Sequence, residues 1–101
     1  MQHVDIRSQI ITGAWEIDSD MKFCELHGDV AEVFNYATKS FFGVKYSPVL
    51  YVGKQVVSGC NYMFVCKQIL STEHKDTHVV KMVVYKPVAG KAEILSVEQL
   101  L

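Results

Sequence analysis

Several features that carry enzymatic or membrane chemistry are missing from this 101-residue chain. It has three cysteines, Cys24, Cys60 and Cys66, and an odd count excludes a complete set of intrachain disulfides. Cys60 and Cys66 share one side of any regular strand that carries both. At about 3.3 Å per residue they would then stand roughly 20 Å apart, too far for a bond. Three buried or half-buried thiols are the expectation. Every lysine and arginine stands alone in the sequence, and the net charge is −1, so the electrostatic footprint of a nucleic-acid binder is missing. Apolar runs last only a few residues, which gives no membrane span. The start, Met1-Gln2-His3-Val4-Asp5, lacks the basic-then-apolar order of a signal peptide, and the compartment is left open. There is no Cys-x-x-Cys, no His-Glu-x-x-His and no glycine-rich phosphate loop. His74 and His78 are four apart but straddle a loop–strand junction, and Asp18 and Asp20 sit in a polar stretch. No metal site, cofactor or catalytic centre is therefore expected.

What is present is an ordinary folded composition: half the residues are apolar and about a fifth are charged. A chain this short buries only roughly 60–65% of its unfolded surface, so deep clefts are hard to build. Trp15 and Ile17 suggest a short first strand. The polar stretch 18–27 reads as loop. One amphipathic helix is predicted over 29–42: Val30, Val33, Phe34, Ala37 and Phe41 recur on one face, with Glu32, Asn35 and Lys39 opposite. Asp29 is the expected cap and Gly43 the expected stop. The pattern then changes to strands: 49–57, 61–70, 78–85 and 92–97, broken by Ser58-Gly59, the polar 71–77 loop and a turn at 87–90. A weak strand, a helix and then four strands in two hairpins predict an α+β fold, one helix packed on a four- to five-stranded antiparallel sheet. The helix face of Val, Phe and Ala fills the space against the sheet. That argues against a small enzyme or ligand-binding domain with a polar pocket there.

The most informative segment is Gln55-Val56-Val57-Ser58-Gly59, followed by Cys60-Asn61-Tyr62. It resembles the cystatin and stefin inhibitors of papain-like cysteine proteases, whose first binding hairpin reads Gln-x-Val-x-Gly and is often followed by x-Asn-Tyr. Its position, about a dozen residues beyond a single amphipathic helix, is similar to the family's. Ile11-Thr12-Gly13-Ala14-Trp15-Glu16-Ile17 looks like the glycine–tryptophan opening of plant-type cystatins. Tyr85-Lys86-Pro87-Val88 falls where the family has its second hairpin. Residues 10–101 can be laid along the family without a large gap, roughly nine-tenths of the chain. Three departures stand out. Ala14 replaces the second glycine before the tryptophan, which leaves Gly13 as the trunk glycine. Val88 stands where cystatins carry tryptophan. No cysteine follows Cys66, unlike the secreted animal cystatins with two disulfides in that half.

The resemblance implies a cystatin-like domain over 13–101, preceded by a flexible trunk segment over 1–12. It implies a wedge of three parts at one end of the sheet: Ile11, Thr12 and Gly13; Gln55, Val56, Val57, Ser58 and Gly59; and Pro87 with Val88. The expected partner is a papain-like cysteine protease of cathepsin type, whose cleft the wedge would fill without offering a scissile bond. The residue types suit this. Gly59 permits close backbone approach. The valines dock with little loss of rotamer entropy, and Gln55 can fix the loop through its amide. The resemblance further implies a strained backbone at Val57, hence a monomer able to open that hairpin into a domain-swapped dimer. The missing tryptophan supports an alternative, a cystatin-fold binding module that inhibits nothing.

Overall fold

The computed structural model describes residues 13–101. The elements are β1 (Trp15–Ile17), α1 (Gly28–Thr38), β2 (Val44–Val57), β3 (Gly59–Leu70), β4 (Thr77–Lys86) and β5 (Glu93–Gln99). The strands form one five-stranded antiparallel sheet in the order β1-β2-β3-β4-β5. The helix packs across one face. This is the predicted α+β arrangement and is consistent with a cystatin-like fold. The link between β3 and β4 is itself a hairpin connection, so β2 to β5 form a continuous meander rather than two separate hairpins. No helix among the described residues is long and apolar enough to cross a membrane.

Alternation along the strands decides the core. Phe64 and Cys66 on β3 lie opposite Met82 and Val80 on β4, and Tyr62 lies opposite Val84. These side chains meet Val33, Phe34 and Ala37 of α1, with Ala92 closing one side. Phe34 and Phe64 stand edge to face, ring centroids 5.0 Å apart, and Tyr51 joins Phe64 at 5.6 Å. No polar or charged residue among the described residues is buried as a whole. Apolar side chains thus pack the centre of the contact between helix and sheet. A groove of about 820 Å³ lies beside the helix, lined by Val33, Tyr36, Tyr62, Lys86, Lys91 and Ala92 among others, and it is open to solvent.

The helix is shorter than its pattern. It ends at Thr38, whose hydroxyl bonds back to the Phe34 carbonyl at 2.9 Å, and Lys39 is the C-cap. Phe41 lies beyond it, 47% exposed, against Tyr46. Its apolar spacing is real, but its partner is a strand residue. His27 rather than Asp29 is the N-cap. Asp29 sits in the first turn, where its charge favours the positive end of the helix dipole.

β2 starts at Val44, earlier than the apolar pattern indicates, because Lys45, Ser47 and Pro48 interrupt it. Pairing with β3 residues 66–70 carries this part of the strand. Pro48 is tolerated because β1 covers β2 only at Gly53, Lys54 and Gln55, so Pro48 lies on a free edge. Irregularities between Pro48 and Leu50 and between Tyr51 and Gly53 bend the strand. At Gly53 a β-carbon would collide with the Glu16 backbone carbonyl, so glycine lets β1 lie close.

The thiols differ from expectation in one case: Cys66 is buried and Cys60 half-buried, but Cys24 is exposed. Burial pushes the Cys66 thiol up to about 12. Tyr51 is also pushed up to about 12, mainly by burial and then by Tyr62, and Tyr62 is raised by burial and by Cys60. These groups hold their protons more tightly folded than unfolded. Their contribution to stability is present below about pH 9 and is lost as pH rises toward 12. Denaturant midpoints measured from pH 8 to 11 should fall across that window, and a flat profile would contradict the burial of these groups.

Candidate functional site

The β2–β3 connection is very tight. Val57 lies opposite Gly59, Val56 opposite Cys60 and Gln55 opposite Asn61, so Ser58 alone caps the turn. Such a turn needs one residue in a backbone region closed to side chains, and Gly59 supplies it with φ +103°. Val57 does not have a positive φ. Val57 is therefore outside the left-handed region where backbone strain would be expected. The turn puts its positive φ on Gly59, a residue that adopts it freely.

The tip is held from two sides. On one, a β-carbon at Gly59 would stand 2.5 Å from the Lys86 carbonyl oxygen and 3.0 Å from the Pro87 Cα. The end of β4 and the start of the next turn thus lie directly against the first hairpin. The Tyr85 hydroxyl fastens this contact by donating to the Ser58 carbonyl at 2.6 Å. On the other side, the Gly13 amide donates to the Val56 carbonyl at 2.8 Å. The Gln55 side-chain amide donates to the Gly13 carbonyl at 2.6 Å, and the Asn61 side-chain amide donates to Gln55 Oε1 at 2.9 Å. The Trp15–Gln55 register of β1 on β2 aligns this edge.

Gly13, Gln55, Val56, Val57, Ser58, Gly59 and Pro87 are thereby gathered at one end of the sheet, although 74 positions separate the first from the last. Val88 follows Pro87 and projects into solvent, 82% exposed. Val56 is exposed and Val57 half-buried. Ile11 and Thr12 lie outside the described residues. Two residues outside the expected wedge set also belong to this end. Asn61 and Tyr85 carry the hydrogen bonds just described. For Asn61 the signal was its place opposite Gln55 across a one-residue turn. For Tyr85 nothing local distinguishes it from a strand tyrosine.

No family model, no curated protein and no solved structure matches this chain.

Three segments meet at this end: the Gln55–Gly59 hairpin, the glycine before Trp15 and the proline turn after β4. The surface they make is apolar at Val56 and Val88 and is braced by hydrogen bonds. No cluster of three or more potential metal ligands occurs among the described residues. The chemistry this end offers is shape and apolar contact.

Proposed function

We propose that the protein is a reversible inhibitor of papain-like cysteine proteases, related to the cystatins, and that its hairpin end enters the protease cleft as a wedge. The observation that carries this reading is the convergence of three segments that the resemblance names independently: Gly13, the 55–59 hairpin and the turn that starts at Pro87. Their mutual hydrogen bonds leave few loop rotamers to freeze on binding, which lowers the cost of association. Val56 and Val88 offer exposed apolar contacts. In this reading residues 10–12 extend along the non-primed pockets, and at Gly13 the chain turns away from the catalytic thiol.

Binding should require an empty cleft. The immobilised protein should capture active papain, and papain whose cleft is filled by a covalent peptidyl inhibitor should pass through. Equal capture of both forms would overturn the wedge.

A second reading, a cystatin-fold module that binds without inhibiting, is favoured by one observation: Val88 is a small side chain where the family's second hairpin carries tryptophan. The same residue gives a test. Val88 is 82% exposed, so a larger side chain fits without disturbing the fold. Val88→Trp should tighten papain binding by about 1–3 kcal/mol, mostly through slower dissociation. An unchanged off-rate with the fold intact would place residues 87–88 outside the interface.

A further inference from the structure

Asn61 presents an anomaly. Its Nδ2 donates to Gln55, but its Oδ1 is buried without a hydrogen-bond partner. A buried unsatisfied acceptor costs stability, so its presence calls for an explanation. The explanation lies at the other end of the bond. The Gln55 amide has one acceptor end and one donor end. With its oxygen taken by the Asn61 N–H, its nitrogen faces the Gly13 carbonyl at 2.6 Å. Turned over, the amide would set oxygen against the Gly13 oxygen and nitrogen against the Asn61 nitrogen. Asn61 thus decides which way Gln55 points, and only one of the two orientations can hold Gly13.

We propose that Asn61 is a positioning residue that orients the Gln55 amide and thereby fixes the N-terminal segment at Gly13 against the first hairpin. This deepens the inhibitory reading and rests on it for its consequence in binding. The relay adds a side-chain link between two parts of the wedge to the backbone bond from the Gly13 amide to the Val56 carbonyl and the β1–β2 pairing that starts at Trp15 and Gln55. It also accounts for the asparagine that follows the Gln-x-Val-x-Gly core, since Asn61 is the cross-strand partner of Gln55.

Asn61→Asp keeps the size of the side chain and removes its donor. Gln55 must then turn its nitrogen toward the new carboxylate and its oxygen toward Gly13, which breaks the link. In the full-length free protein, amide exchange at Gly13 should accelerate about tenfold in Asn61→Asp and in Gln55→Ala. It should be no faster in the double variant than in Gln55→Ala alone, because both changes cut the same link. Core amides at Phe64 and Met82 should stay protected, which separates a lost link from a lost fold. Dissociation from papain should quicken by about the same factor in Asn61→Asp. Wild-type exchange at Gly13 in Asn61→Asp would overturn the proposal, as would effects of the two substitutions that multiply. Faster Gly13 exchange with unchanged papain dissociation would overturn the positioning role. If the wild-type protein leaves papain untouched, the inhibitory reading falls, and the exchange measurements still decide the relay.

Discussion

Gly59→Glu should weaken papain inhibition at least about a hundredfold, and it should also lower the melting temperature of the free protein. Two physical terms act together. The residue's φ of +103° is a region L side chains rarely enter, with a strain of about 1–3 kcal/mol. Its β-carbon would also meet backbone on the neighbouring turn, the Lys86 carbonyl at 2.5 Å. Backbone cannot swing aside as the end of a side chain does, so the two hairpin tips must part. The sequence motif alone suggests a glycine facing the protease, whose loss would spare the fold. The packing makes it a contact between the two hairpins instead, and the substitution should injure both inhibition and stability. Circular dichroism of the variant separates the two effects: a folded variant without inhibition locates the damage at the wedge. A variant that melts and inhibits like wild type would contradict the placement of both hairpins.

Phe64→Ala should have the largest effect on stability. Phe64 has no exposed surface, pairs with Met82 across the sheet and stands edge to face with Phe34. Truncating a buried phenylalanine costs about 3–5 kcal/mol, through lost transfer energy and the cavity left behind. That is a large part of the stability of a domain this small, typically about 5–15 kcal/mol. Denaturant unfolding should show the midpoint falling sharply, with the variant partly unfolded at 37 °C. A loss under about 1 kcal/mol would mean the sheet collapses onto the helix more freely than its packing implies.

The helix, its buried face and the strand-rich second half are legible in the sequence because each is a repeating apolar pattern set by burial on one side. Val33, Phe34 and Ala37 follow from spacing alone. The boundaries are not legible in the same way. Phe41 continues the helical period yet packs on Tyr46, since apolar spacing does not say which element will cover a side chain. The start of β2 is hidden by Lys45, Ser47 and Pro48, which a strand at a free edge accepts because pairing with β3 alone carries it.

At the candidate site, the motif names the residues that shape the turn and not those that brace it. Gly59 can be recognised as a turn glycine from its neighbours. That its missing side chain makes room for Lys86 and Pro87 depends on the register of β3 on β4, which no local pattern encodes. The same holds for Tyr85, whose hydroxyl reaches Ser58 across 27 positions of sequence. Val57 shows the reverse. The family resemblance implied strain there, while the turn puts its one positive φ on glycine, which accepts it freely.

The most direct test of the inhibitory reading is a titration of active-site-calibrated papain with the full-length protein, read as residual hydrolysis of a small peptide substrate. The account predicts activity falling in proportion to added protein and vanishing near an equimolar ratio, with the inhibitor recovered uncleaved. Full activity at a severalfold excess, or steady cleavage of the 55–59 hairpin as a substrate, would contradict it.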